Sequence, residues 1–143
     1  MNIKRKILFI IETYPSGGSD KIVNTLSKNL SKKFNIDILI NQSNDLKFLN
    51  DIKIHNINLK FYNLPNLNKI LYLTNIIFIK HFNMLVYLLL KYLNFFFGVI
   101  YFIVRMVNLK PDIVISNNGN YPGGDYNRAA LLSAILLKKK QFI

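Results

Sequence analysis

Short apolar runs alternate with amphipathic segments along the first third of the chain. Residues 6–11 (KILFII) form a continuous apolar run, which is typical of a strand buried on both faces. A turn cluster at 14–19 (YPSGGS) follows it, and residues 20–33 then carry apolar side chains at helical spacing. This spacing predicts a helix with Ser19 as its N-cap. Residues 35–40 (NIDILI) predict a second buried strand.

The same alternation continues to the end of the sequence. The later predicted elements, in order, are a strand at 52–57 near a sheet edge, a long helical region at 69–109, a strand at 112–116 after Pro111, a Gly-rich turn at 117–124, a helix at 125–137 and the start of a strand at 140–143. Alternating strands and helices indicate a parallel sheet with helices on both faces. The sequence therefore predicts one Rossmann-like α/β domain over residues 1–143.

Two Gly-rich turns fall where parallel α/β sheets bind ligands, beyond the carboxyl ends of strands. Gly17 and Gly18 follow a strand and open a helix, a geometry that lets a phosphate approach the backbone. An ordinary tight turn explains the same pair equally well. Neither G-x-G-x-x-G nor G-x-x-x-x-G-K-[ST] is present, so the dinucleotide and P-loop fingerprints are absent.

The order of several short motifs resembles that of family 4 glycosyltransferases. Ser16-Gly17-Gly18-Ser19-Asp20-Lys21 is similar to the opening loop of that family, with Asp20 where Glu is usual. Lys110-Pro111-Asp112-Ile113-Val114 resembles the strand before the acceptor-side loop. Asn117-Asn118-Gly119, Tyr121-Pro122 and Arg128-Ala129-Ala130 are similar to a pattern in some bacterial members.

This resemblance implies a GT-B architecture, in which two Rossmann-like domains flank the active site. The chain would be part of the acceptor-side N-terminal domain, and the donor-binding domain would lie past Ile143. The implied function is metal-independent transfer of a sugar from a nucleotide-sugar donor to a glycan or lipid-linked acceptor in surface polysaccharide synthesis, with no cofactor. The resemblance assigns Gly17, Gly18 and Ser19 to a donor-phosphate or acceptor loop, and an acceptor-side loop to Asn117, Asn118, Gly119, Tyr121 and Arg128.

Composition excludes several other classes of protein. Hydrophobic residues make up 51% and charged residues 18% of the chain, which excludes intrinsic disorder. With no cysteine, the chain has neither disulfides nor thiolate metal sites. No D-x-D, H-E-x-x-H or G-x-S-x-G motif occurs, so we expect no metal site and no serine hydrolase site. We interpret His55 and His81 as structural.

The net charge of +12 favours a polyanionic partner. Arginine is scarce and no RNA-recognition aromatic motif is present, so we expect no nucleic-acid partner. An anionic membrane surface remains, and it is compatible with a lipid-linked acceptor. The alternative function is a non-catalytic, basic membrane-surface module of Rossmann-like shape.

The region 69–109 contains no acidic residue and has three interpretations. Its most apolar part, 82–104, is long enough to span a bilayer, but Lys91 would lie near the middle at a high cost. The other interpretations are core helices with a solvated edge, or helices that contact a membrane. At 100° per residue the basic side chains fall within roughly 40° of one another, which favours membrane contact over spanning; they are Lys69, Lys80, Lys91 and Arg105. We expect a cytoplasmic protein, peripheral on the inner face of the plasma membrane.

Overall fold

The computed structural model describes residues 4–12, 18–41, 57–64, 77–117 and 125–142. Strands and helices alternate along these ranges, as the apolar pattern predicts. The elements in chain order are β1 (Lys6–Ile11), α1 (Gly18–Ser31), β2 (Asn35–Asn41), β3 (Asn58–Tyr62), α2 (Ile77–Leu109), β4 (Ile113–Asn117), α3 (Asp125–Leu136) and β5 (Lys140–Phe142).

The strands form a five-stranded sheet in the order β3-β2-β1-β4-β5, and every neighbouring pair is parallel. β1 lies at the centre, where Phe9 pairs with Ile38 on one side and Ile115 on the other. The strand order reverses direction at β1, between β2 and β4. In open parallel sheets this is the place where ligands bind, outside the carboxyl ends of the strands.

One face of the sheet packs against α1. Because side chains alternate along a strand, every second residue of β1 and β2 points to this side. Val23 of α1 is buried there, and Leu30 packs at its margin. The buried strand residues of this layer are Ile7, Phe9, Ile11, Ile36, Ile38 and Ile40.

The other face packs against α2 and α3. Leu8, Ile10 and Leu39 point to this side. From α2 they meet buried Val99, Phe102 and Met106, and from α3 they meet Ala129, Ala130 and Ala134. α2 leads into the amino end of β4 and α3 into the amino end of β5, so both helices run from the carboxyl edge of the sheet to its amino edge. Each is followed by a lysine in the left-handed region, Lys110 at φ 50° and Lys138 at φ 52°.

A buried carboxylate links β3, β2 and β1 near their amino ends. Asp37 of β2 is fully buried, and its Oδ2 lies 3.1 Å from Nζ of both Lys6 and Lys60. Asn58 donates a hydrogen bond of 3.1 Å to Oδ1 of Asp37. Burial alone would raise the pKa of Asp37, but these three donors outweigh it and lower the pKa below its usual value.

The structure confirms the fold class, a parallel Rossmann-like sheet with helices on both faces. Five elements begin and end within two residues of their predicted bounds: β1, β2, β4, α1 and α3. Two predictions need correction. The structure has a strand at Asn58–Tyr62 that the apolar pattern does not predict and no strand at residue 57, while residues 52–56 of the predicted strand lie outside the described residues. Helix α1 begins at Gly18, so Ser19 lies within its first turn and is not its N-cap.

The position of β3 follows from its partner rather than from its own apolar pattern. Its residues pair with 37–41 of β2, and Lys60 reaches the buried Asp37. Tyr62 is buried and its hydroxyl donates to the carbonyl of Ile11 at 3.2 Å. These contacts explain why the strand covers 58–62. Lys60 and Tyr62 lie two positions apart and therefore point to the same face of the sheet.

Candidate functional site

The carboxyl ends of β1 and β4 lie side by side, with Ile11 paired to Asn117. The two Gly-rich turns of the sequence leave the sheet from these neighbouring ends. Most of both turns, at 13–17 and 118–124, lies outside the described residues. The structure describes the residues next to these turns. They are Glu12 after β1, the first turn of α3, and the part of α2 that packs beside that turn.

Glu12 connects the end of β1 to the start of α3. Its Oε2 accepts hydrogen bonds from the backbone N–H groups of Tyr126 at 3.1 Å and Asn127 at 3.3 Å. These are among the N–H groups that a helix leaves without an internal partner, and the helix dipole favours a negative charge there. The glutamate side chain therefore acts as an N-terminal cap for α3 from a distant part of the sequence.

The pKa of the same carboxyl group lies close to neutral pH. Burial raises the pKa of Glu12 to about 7, and the charge of Asp125 acts in the same direction. The two backbone hydrogen bonds and the guanidinium of Arg128 act against this rise. A carboxyl group with this pKa exchanges its proton near neutral pH, which is a property that general acids and bases share.

Asp125 and Arg128 act on Glu12 electrostatically, and Lys91 contacts Asp125 where α2 meets α3. Lys91 Nζ of α2 lies 3.3 Å from Asp125 Oδ2, and Arg128 Nη1 lies 3.9 Å from Asp125 Oδ1. The Lys91 ammonium also lies 5.8 Å from the centroid of the Tyr87 ring. Although partial burial works to lower the pKa of Lys91, the Asp125 carboxylate raises it above its usual value. Arg128 is about half exposed, so its guanidinium is available to an anion at this edge.

Aromatic side chains form a buried floor under the edge. The Tyr62 and Tyr126 rings meet edge to face with centroids 6.3 Å apart, and Tyr62 packs on Phe102 at 5.4 Å. Asn94 of α2 donates a hydrogen bond to the Tyr126 hydroxyl. Burial raises the pKa of Tyr126 to about 12 and that of Tyr62 well above its ordinary value, so both hydroxyls keep their protons. The floor is therefore uncharged.

The structure brings together some of the residues that the sequence singles out at this edge. Arg128 lies in the first turn of α3, Gly18 begins α1, Ser19 follows it, and Asn117 ends β4. Gly17, Asn118, Gly119 and Tyr121 lie outside the described residues. Their assignment to ligand-binding loops stays a prediction.

Sequence reasoning missed Glu12, Asp125 and Lys91 as members of one cluster. Glu12 is the only glutamate of the chain and directly follows a buried strand, which is a usable signal. Its partners are more than 110 positions away, and only the parallel pairing of β1 with β4 places them together. The sequence pattern places Lys91 instead in a basic stripe for membrane contact.

The basic stripe is only partly described. Lys69 lies outside the described residues, and Lys80 lies near the start of α2. Lys91 contacts Asp125, and Arg105 Nε donates to the Tyr101 hydroxyl at 2.8 Å with its guanidinium 5.3 Å from the Tyr101 ring centroid. These two basic side chains lie against protein groups on the flank of α2. Its most exposed positions are apolar.

Metal-binding potential is low in the part of the chain that the structure describes. There, no three His, Asp or Glu side chains come close enough together to hold a metal ion.

Comparison with known proteins shows the fold. No protein-family model matches the sequence, and a search of the curated proteins finds no match. A solved structure from Listeria monocytogenes, assigned as a UDP-N-acetylglucosamine 2-epimerase, matches 96% of this chain and 30% of its own, with a TM-score of 0.60 and 15% identity. Anabaena Alr3699/HepE, solved with UDP and glucose and with UDP-glucose, matches 95% to 96% of this chain and 28% of its own, with TM-scores of 0.51 and 0.52 and 12% identity.

The chain thus spans less than a third of the length of these proteins. At 12% to 15% identity the likeness shows the fold alone. That fold is a Rossmann-like parallel α/β domain, as expected for one half of a GT-B architecture.

Proposed function

We propose that this chain is the acceptor-side domain of a GT-B enzyme that uses a nucleotide sugar, and that the enzyme is a glycosyltransferase. The observation that carries the proposal is the pairing of Ile11 with Asn117, which starts the two Gly-rich turns from adjacent strand ends. The motif resemblance supports the finer assignment to sugar transfer. The names of the structural neighbours, which refer to UDP-N-acetylglucosamine, UDP and UDP-glucose, support a nucleotide-sugar donor.

Arg128 and Glu12 of the described cluster, and Gly18 at the start of α1, have roles in this proposal. Arg128 offers an exposed guanidinium to an acceptor phosphate or a sugar hydroxyl. Glu12, with its pKa of about 7, lies where a proton could be exchanged with an acceptor hydroxyl. Gly18 at the start of α1 lets a ligand approach the backbone closely, because it has no Cβ. The donor-binding half would be supplied by residues outside these 143.

The first test compares the 143-residue chain with a longer protein that contains it and a second Rossmann-like half. Each is incubated with radiolabelled UDP-glucose or UDP-N-acetylglucosamine and with lipid extracts as acceptor. We expect no transfer by the chain alone, because a GT-B donor is bound by the other half. Transfer by the chain alone would contradict the proposed division of roles. If no such longer protein transfers sugar from any nucleotide donor, the glycosyltransferase assignment is wrong.

A matched pair of variants then tests the Gly18 loop in the longer protein. Gly18→Val should lower transfer by about tenfold or more, because a branched side chain fills the space a phosphate needs. Thr25→Val, on the exposed side of the same helix, should leave transfer unchanged. Circular dichroism and the melting temperature establish that both variants fold. Unchanged kinetics in Gly18→Val would remove this glycine from the site.

A further inference from the structure

The outer face of α2 is a continuous apolar surface. It is defined by eleven side chains that are each 41% to 70% exposed: Met84, Leu85, Leu88, Leu89, Tyr92, Leu93, Phe96, Phe97, Ile100, Val104 and Val107. Between 84 and 109, the exposed positions include no charged residue. Soluble monomers rarely expose a contiguous apolar patch of more than a few hundred Å². A surface of this kind marks a site of interaction.

From Lys91 onward, the opposite side of α2 is held by the rest of the domain. Phe102 and Met106 are fully buried against the sheet and α3. The Ser133 hydroxyl donates to the carbonyl of Val99 at 2.9 Å, and Lys91 pairs with Asp125. Met84–Leu109 is long and apolar enough to cross a bilayer, with a mean hydropathy of 1.8, but crossing would break these contacts. From Met84 to Leu109, the outer face is the side of α2 that stays free to meet another phase.

Positive charge gathers at one end of this face. α2 and α3 both end at the amino edge of the sheet, where β1 begins and α1 ends. Exposed basic residues there include Lys4, Arg5, Lys32, Lys33, Lys110, Lys138 and Lys140. With the chain at +12, a second copy would be repelled, whereas an anionic surface would be attracted. Charge therefore favours an anionic lipid surface over self-association.

We propose that the outer face of α2 docks in the plane of an anionic bilayer leaflet. Its apolar side chains enter the boundary between headgroups and acyl chains, and the lysines of the amino edge contact anionic headgroups. This geometry differs from membrane contact through the stripe of Lys91 and Arg105, which lie on the flank of α2. It does not depend on the proposed sugar transfer.

Docking of this kind would also bring the carboxyl edge of the sheet close to the bilayer. Lys91 contacts the first residue of α3, so the part of α2 before Lys91 extends past that edge. From Met84 to Lys91 this overhang is about 10 Å at 1.5 Å per residue. Four outer-face residues lie on it: Met84, Leu85, Leu88 and Leu89. A lipid-linked molecule could then reach Glu12 and Arg128 without leaving the leaflet.

Vesicle flotation tests the face with matched substitutions. The chain is mixed with vesicles of phosphatidylcholine, alone or with phosphatidylglycerol, at about 0.1 M and about 1 M salt. We expect flotation with the anionic vesicles that falls at high salt. The double variant Leu89→Asp/Phe96→Asp should bind at least about tenfold more weakly, because the apolar contact is lost. The control Ile22→Asp/Leu26→Asp changes exposed apolar residues of α1, on the other face of the sheet, and should bind like the wild type.

Flotation of Leu89→Asp/Phe96→Asp equal to that of the wild type would overturn the proposal. Equal binding to neutral and anionic vesicles at both salt concentrations would overturn the role of the lysines. Failure of the wild type to float, with a dimer in analytical ultracentrifugation that the double variant abolishes, would assign the face to contact between copies instead.

A fluorescent probe separates in-plane docking from spanning. The chain has no tryptophan, so the variants Phe96→Trp on the outer face and Ile22→Trp on α1 each give a single signal. On anionic vesicles we expect a blue shift of the Phe96→Trp fluorescence, and stronger quenching by lipids brominated near the headgroup than near the acyl-chain ends. The fluorescence of the Ile22→Trp variant should not respond. If the Phe96→Trp signal is quenched most strongly from the bilayer centre, the helix inserts across the membrane and in-plane docking is wrong.

Discussion

Glu12 illustrates how the environment of one residue sets its chemistry. The side chain is held by two backbone N–H groups that favour its charged form, yet burial has the larger effect and raises its pKa to about 7. A helix N-terminus usually stabilises a carboxylate. Here the two backbone N–H groups only limit the rise that desolvation causes. The result is a carboxyl group that changes charge within the physiological range.

This pKa predicts how stability depends on pH. Between pH 4.5 and 7 the folded protein keeps the Glu12 proton while the unfolded chain loses it, so the folded state binds more protons. Stability should therefore fall as pH rises through this window, by about 2–3 kcal/mol for this group, and level off above pH 8. Glu12→Gln should remove that contribution. Urea denaturation of both proteins from pH 5 to pH 8 measures it.

The difference between the two proteins isolates Glu12, because His55 and His81 are present in both. As a control, Asn29→Ala at an exposed position of α1 should show the pH dependence of the wild type. If Glu12→Gln and the wild type have parallel stability curves, the carboxyl group is ionised throughout this range and the cap is an ordinary one.

Asp37 is the opposite case, because two lysines beside its buried carboxylate help to lower its pKa. Asp37→Asn leaves Lys6 and Lys60 without their carboxylate, although both ammonium groups keep partial access to water. We expect a loss of about 2–3 kcal/mol in the free energy of unfolding at pH 7, near the low end for breaking a buried pair. Because the folded pKa of Asp37 is lowered, the wild type should lose this advantage as pH falls below about 4. Denaturation at pH 7 and pH 3 checks both statements, and equal stability of the two proteins at pH 7 would contradict them.

The elements of the fold show what could be predicted from the sequence and why the rest could not. β1 contains a continuous apolar run, and β2 and β4 are mostly apolar, because both faces of these strands are covered, so the sequence signal is strong. β3 lies at the edge of the sheet and contains Asn58 and Lys60. The alternation of apolar and polar residues along the sequence does not reveal that these two side chains pair with Asp37. The apolar residues of the long helical region identify it as a helix, but they do not reveal which side is covered.

Close packing of α2 on α3 depends on a small residue. A Cβ placed on Gly98 would lie 3.2 Å from the Cβ of Ala129 and 3.4 Å from the Tyr126 ring. Gly98→Leu should therefore force the helices apart and destabilise the protein by about 1–3 kcal/mol. Val104→Leu, on the outer face of the same helix, should change stability by less than about 0.5 kcal/mol. Thermal and urea denaturation compare the two, and equal stabilities would mean that the helices are not in close contact at this level.

At the scale of the whole molecule, the apolar residues of the chain serve two different surfaces. Those of the strands and the inner side of α2 form the core, whereas eleven of α2 remain on the outside. The hydropathy of the sequence does not distinguish buried apolar residues from exposed ones. For this reason the composition of 69–109 fits a spanning helix, a core helix and a helix that contacts a membrane. The candidate site has a similar origin. Its members come from three distant segments, and only the topology of the sheet and the packing of α2 against α3 unite them.

The exposed apolar surface also predicts how the isolated chain behaves in solution. Without lipid or detergent, and at a salt concentration of about 1 M that screens the repulsion between copies, the outer face of α2 should make the wild type associate, because water is unfavourable to a large apolar patch. Replacing Leu85, Leu89, Phe96 and Ile100 with Gln should give a monomer of unchanged fold, since these side chains are exposed and contribute little to the core. Size-exclusion chromatography with light scattering measures the association, and circular dichroism measures the fold. A melting temperature that falls by more than about 5 °C in this variant would indicate that the outer face is packed within the protein itself.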